Sequence, residues 1–117
     1  MKQPAKTADF QNFSEFWPFY LSEHSNPKNR NLHFIGTTLA ILALTIGITV
    51  GPIWLAWITP VFGYFFAWIG HFKVQKNRPA TFKYPGWSLR GDFKLYFYTI
   101  SGRLNDEYKK YGLSANS

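Results

Sequence analysis

The chain of 117 residues has the length of one domain, and its 13 Lys and Arg against 6 Asp and Glu leave a formal charge of +7. Aromatic residues make up 21% and charged residues 16%, less than the quarter usual in soluble domains, and the absence of Cys excludes disulfides, thiolate metal sites and a Cys nucleophile. Walker loops, Rossmann fingerprints and Ser-His-Asp arrangements do not occur either, so nucleotide chemistry and hydrolysis have no support.

Met1 to Ala8 read as a loose basic lead-in, and residues 1–30 lack the unbroken apolar core of a signal peptide. From Asp9 onward Phe10, Phe13, Phe16, Trp17 and Tyr20 recur at helical spacing, while Ser14, Glu15 and Glu23 fall on other faces. The pattern predicts an interfacial amphipathic helix over residues 9–25, aromatic face at the acyl boundary and bent or restarted at Pro18. The competing reading is a helix packed into a soluble core. Asn26-Pro27 supplies a cap followed by proline at the first helical position, and opens a first span over residues 27–50. Residues 31–70 contain no Lys, Arg, Asp or Glu. One bilayer crossing takes about 20 residues, so this run is long enough for two.

Gly51-Pro52 marks a turn in the middle, and a second span follows over residues 52–76, kinked at Pro60. The charge-free centre decides for a membrane against nucleic acid as the partner of this basic chain. Gly36, Ala40, Ala43 and Gly47 line one face of the first span, and Ala56, Thr59, Gly63, Ala67 and Gly70 one face of the second. Small residues mark where membrane helices approach closely. Residues 77–91 read as a loop with Phe82, Tyr84 and Trp87 at the interface. Asp92 is expected to cap a last interfacial helix over residues 92–112, ended by Gly112, which covers the open end of the hairpin. The fold class is thus all-α and integral to the membrane: a two-span hairpin flanked by interfacial helices. All Lys and Arg lie on the side of the termini, which places both termini in the cytoplasm.

His33 and His71 each continue a small-residue stripe. Each lies about 18 or 19 residues from the turn, roughly 27–29 Å at helical rise, or one bilayer core. Both emerge at one membrane surface on facing sides of the hairpin, and His24 can fold back over His33. Three neutral imidazoles would make a facial ligand set for Fe(II) or Zn(II). Two other readings stay open on spacing alone: hydrogen-bonded polar groups that bind no metal, and a bis-histidine haem, which no CxxCH signature supports. The same rim carries Asn29, Arg30, Asn77 and Arg78, candidates to bind a carboxylate or phosphate through the guanidinium fork, or else anchors to lipid phosphates. Tyr84 joins them as a substrate-binding candidate. A ligand with an anionic head at this rim and a tail beside the spans is a lipid or fatty acid.

The stretches EHSNPKNRNLHFIGT and GHFKVQKNRPATFKYPGWSLRGDF closely resemble a small membrane protein family whose fungal members act as 2-hydroxy fatty acid dioxygenases in α-oxidation. The resemblance covers roughly residues 10–100. It implies an Fe(II)-dependent enzyme that uses O2 to remove one carbon from a long-chain 2-hydroxy fatty acid, with His24, His33 and His71 as iron ligands and catalytic residues. It also implies a small bacterial member, placed in the inner membrane among its lipids. One position departs from the resembled pattern: Gln75 stands where relatives often carry Glu. The alternative function is a non-enzymatic scaffold or lipid-binding protein, and the oligomeric state is left open.

Overall fold

The computed structural model describes residues 10–116, so the lead-in at Met1 to Ala8 and the expected helix start at Asp9 lie outside the described residues. The described chain is helical and contains no strand. Helix α1 (Phe13–Ser22) is capped by Asn12, whose side chain accepts from the Glu15 amide at 2.9 Å. Helix α2 (Pro27–Thr49) starts as the sequence predicts, with the Asn26 side chain accepting from the Lys28 amide at 2.8 Å and Pro27 in the first turn.

After the turn at Gly51 (φ +88°) the chain returns through α3 (Trp54–Trp57) and α4 (Thr59–Ile69), which runs on into a π-helical turn over Gly70–Gln75. The kink expected at Pro60 appears as the break at Ile58, with Pro60 in the first turn of α4. A 3-10 turn (Ala80–Phe82), α5 (Pro85–Ser101) and α6 (Leu104–Lys110) complete the described chain.

Two stretches, Pro27–Thr49 and Trp54–Gln75, are long and apolar enough to cross a membrane, yet only 22% and 17% of their most apolar windows are buried. A core helix of a soluble protein would be mostly covered. Here Leu42, Ile48, Val50, Trp57, Val61 and Phe65 point outward. The two stretches meet along the expected small-residue face. A Cβ on Gly36 would stand 3.0 Å from the Phe62 carbonyl oxygen, and one on Gly47 would stand 2.5 Å from the Ala56 nitrogen. Helix α2 must therefore present hydrogen at both positions for the backbones to approach.

Three elements differ from expectation. Helix α1 runs through Pro18 unbroken. Only one hydrogen bond is forgone, that to the Ser14 carbonyl, and Ser14 is exposed, so water can serve that carbonyl. The aromatic face of α1 is not laid on lipid. Phe13, Phe16, Trp17, Tyr20 and Leu21 are buried with Leu95 of α5 and Tyr108 of α6, and Trp17 donates its indole N–H to Glu107 at 2.8 Å.

The expected loop over residues 77–91 becomes helical from Pro85, which occupies a first-turn position where its missing N–H costs nothing. The expected single helix over residues 92–112 breaks at Gly102 (φ +73°) into α5 and α6, and Asp92 is no cap but lies in the middle of α5. Helix α5 carries two apolar faces. One packs on α1 and α2, where Phe34 and Tyr96 stack at 4.8 Å, and the other leaves Leu89, Phe93, Phe97 and Ile100 exposed.

Candidate metal centre

Three segments converge at the open end of the hairpin. His24 lies just beyond α1, His33 in the second turn of α2, and His71 in the π turn, and all three are buried. Each ring is held the same way. His24 Nδ1–H donates to the Tyr20 carbonyl at 2.7 Å and His33 Nδ1–H to the Asn29 carbonyl at 3.0 Å. His71 Nδ1–H donates to Asn77 Oδ1 at 2.6 Å, and the Asn77 amide orientation is settled because its Nδ2 donates to the Glu23 carbonyl at 3.0 Å. Carbonyl oxygens only accept, so each Nδ1 carries the proton and each neutral ring turns a bare Nε2 lone pair inward.

These lone pairs face one another. His24 Nε2 lies 3.1 Å from His33 Nε2 and 3.0 Å from His71 Nε2, with interplanar angles of 82° and 80° between the ring pairs. Without a cation such an arrangement is repulsive. At a metal–nitrogen distance of about 2.1 Å, two ligands at right angles stand about 3.0 Å apart. The donor set therefore fits a metal bound by His24 at about right angles to each of its two neighbours, the three ligand atoms all lying within 4.8 Å of one another. It does not fit haem, whose axial nitrogens lie about 4 Å apart on opposite sides of a porphyrin. Burial, then the neighbouring His33 and His71 rings, push the His24 pKa well below the usual imidazole range, which keeps its lone pair free.

Around the nitrogens lie residues the sequence reading left without a role. A void of about 10 Å³, close to the room one water needs, is lined by the three histidines together with Ser88 and Asp92. The Ser88 hydroxyl is buried without a hydrogen-bond partner. The Tyr20 ring stacks on His24 at 4.0 Å, and its hydroxyl donates to Asp92. Tyr20 lies flat on Gly91, where a Cβ would come within 3.0 Å of the ring. The rest of the Asp92 surface faces the cavities it lines. Burial raises its carboxyl to about 7, with the Tyr20 hydrogen bond opposing.

The other candidates are distributed around this centre. Asn29 is buried, donates to Gln75 Oε1 at 3.0 Å, and lies against Gly70, so it clasps the two spans behind His33 and His71. Gln75 also accepts from the Asn26 amide at 3.1 Å and donates to Ser25 Oγ at 2.6 Å, so the residue that departs from the resembled pattern is a clasp outside the nitrogen cluster. Arg30 donates to the carbonyls of His24, Ser25 and Ala115 at 2.8–2.9 Å, which ties the corner carrying His24 to the C-terminal segment. Asn77 braces His71. Arg78 is exposed, its guanidinium over Phe82, and with Tyr84 it lines a separate cavity of about 570 Å³ that none of the three histidines lines.

Asp92, Tyr20 and Ser88 were the residues missed. A buried carboxylic acid one helical turn beyond Ser88 is a signal only once residues 85–101 are known to be helical.

Fold and site together define a class: an all-helical protein with two helices long and apolar enough to span a membrane and a buried three-histidine group able to hold a metal ion. Within that class, the family model described as 2-hydroxy-palmitic acid dioxygenase Mpo1-like matches residues 10–104, and the chain belongs to this family. No curated protein and no solved structure matches it.

Proposed function

We propose that this protein is an integral membrane oxygenase that uses Fe(II) and O2 to shorten long-chain 2-hydroxy fatty acids by one carbon. The observation that carries the reading is the convergence of three proton-free Nε2 atoms, that of His24 lying 3.0–3.1 Å from the other two, in a chain whose family description names a 2-hydroxy-palmitic acid dioxygenase. His24, His33 and His71 would hold the iron. When bound, the metal supplies a meeting point for the hydroxy acid and O2 and a route for electrons between them. The balance closes with one O2: a 2-hydroxy acid and O2 give the acid one carbon shorter, CO2 and water, so no further reductant is needed.

The chain's own residues do the rest. Tyr20, Asn29 and Asn77 hold the Nδ1 protons and so fix which nitrogen of each ring faces the substrate side. Burial raises the Asp92 carboxyl well above the usual carboxylate range, so it can hold a proton, and the oxygen not engaged by Tyr20 can offer it to a substrate oxygen. Arg78 and Tyr84, on a separate cavity at the exposed rim, attract the anionic acid to the membrane surface before its head group reaches the histidines. Asn29 and Arg30 act by positioning. The two spans lie in the bilayer with the Lys- and Arg-bearing end and both termini on the cytoplasmic side, because that end carries every Lys and Arg of the described residues.

Iron-loaded protein mixed anaerobically with 2-hydroxypalmitate and then given O2 tests this by mass spectrometry. Pentadecanoic acid from wild type, and none from His24→Ala, His33→Ala or His71→Ala, is the expected result. No bound metal, no product, and lipid binding unchanged in the three variants would instead identify a non-enzymatic lipid-binding scaffold.

A further inference from the structure

A cavity of about 290 Å³ opens between the two spans, and its lining is mostly apolar. One end reaches His33 and Asp92, and the other lies between Leu44 and Thr59. Along α2 it extends from His33 to Leu44, about 16 Å at helical rise. The small-residue faces explain why it exists. Gly36 and Gly47 of the first span sit against the second, and the Gly63 carbonyl itself lies against Gly36, but a Cβ on Gly63 would meet nothing within 4 Å. The side-chain positions of Gly63, Ala40 and Ala67 line the cavity, where small residues leave room beside that contact. The polar end is roofed by α5, since Leu89, Asp92 and Phe93 line it too. That end offers His33 and Asp92, polar groups suited to a carboxyl and a hydroxyl, in a cavity whose lining is otherwise mostly apolar.

We infer that this inter-span cavity seats the hydrocarbon chain of a single-tailed 2-hydroxy acid, and that Gly63 and Ala40 set the length of chain accepted. The inference rests on the oxygenase reading for the identity of the head group. The tail points toward the middle of the bilayer, and Gly63 lies opposite Gly36, about 5 Å along α2 from His33, so a long chain passes Gly63 while a chain of only two carbons beyond C2 stops before it. Gly63→Leu fills the cavity from a position with open space, and replacing glycine inside α4 favours the helix, so the variant folds.

Two measurements on the full chain in nanodiscs test it. The first compares kcat/KM for 2-hydroxypalmitate and 2-hydroxybutyrate. Gly63→Leu should lower the value for the longer acid at least about tenfold and change that for the shorter acid less than about twofold. Equal loss on both acids, or no change on either, overturns the assignment. The second needs no turnover and uses metal-free protein with a 2-hydroxy acid carrying a diazirine at its tail end. Crosslinks should fall on residues 40–44 and 59–63, disappear with excess 2-hydroxypalmitate and weaken in Gly63→Leu. Crosslinks spread over the outward residues Ile48, Val61 and Phe65, or displaced only by diazirine-free phospholipid, would mean bulk lipid fills the cavity and overturn it. Competed crosslinks without any turnover by wild type would support the cavity and refute the oxygenase reading alone.

Discussion

Replacing Gly70 by Ala adds one methyl group at the point where both spans and two of the three histidines are tied together. The new Cβ would stand 1.9 Å from Asn29 Oδ1, 2.9 Å from Asn29 Cγ and 3.3 Å from Asn29 Cα, so neither a side-chain rotation alone nor a small backbone shift relieves it. Asn29 is fully buried and must give up its bond to Gln75 to move. Overpacking of this kind costs about 1–3 kcal/mol. Leaving the buried Asn29 amide N–H without its Gln75 partner adds about 1–3 kcal/mol, so the expected loss is roughly 2–6 kcal/mol.

The same displacement reaches the metal centre by two routes, because the Asn29 carbonyl holds His33 Nδ1 and Gly70 precedes His71. Disturbed support of this sort weakens metal binding about 10–100-fold. Thermal unfolding in nanodiscs and titration with Fe(II) or Zn(II) read the two effects. Gly63→Ala, a glycine-to-alanine change in the same span where the new Cβ has open space, serves as the control and should be neutral or slightly stabilising. A Gly70→Ala protein that melts with wild type and binds metal within about threefold of it would refute the proposed coupling between helix approach and ligand placement.

Asn77→Ala removes the acceptor that fixes the His71 tautomer and should weaken metal binding about 10–100-fold in a competition titration; unchanged affinity would mean that the hydrogen bond has no part in ligation. The Asp92 carboxyl, raised from 3.8 to about 7, binds more protons folded than unfolded between those values. Its contribution to stability therefore falls as pH rises from about 4 to 7 and is flat above that, a change of order 4 kcal/mol in all. Asp92→Asn should remove that slope from denaturation midpoints measured over this pH range, and equal slopes in both proteins would contradict the burial argument. The chain has no Cys, so single-cysteine variants report topology directly: Ile53→Cys should react with an impermeant maleimide from the periplasmic side and Lys109→Cys only after the membrane is opened. The reverse pattern would overturn the orientation.

What was legible in the chain was whatever local chemistry decides. Asn26-Pro27 names its own helix start, because only a cap and a first-turn proline are satisfied there. The small-residue faces and equal span lengths bring His33 and His71 to one end of the hairpin, and the short corner before the Asn26 cap lets His24 fold back over His33, as the structure shows. What was not legible depends on partners distant in sequence. The aromatic period of α1 is the same whether lipid or α5 and α6 cover it, since periodicity selects a face and not its cover. Pro85-Gly86 carries a turn signal and a helix-start signal at once, and reading the first hid the α5 turn that carries Asp92 inward. The π turn at Gly70–Gln75 has no sequence signature. It follows from fitting Asn29 against Gly70 while His71 faces His24 and Gln75 reaches the α1–α2 corner.

X-ray absorption on protein loaded with Fe(II) under anaerobic conditions tests the metal centre most directly, because imidazole rings scatter with a recognisable outer-shell pattern. The account predicts about one iron per chain with three imidazoles in its first shell at about 2.1 Å, and fewer imidazoles with loss of the iron in each His→Ala variant. Iron bound without imidazole scattering, or retained in a variant lacking His24, His33 and His71 together, would contradict it.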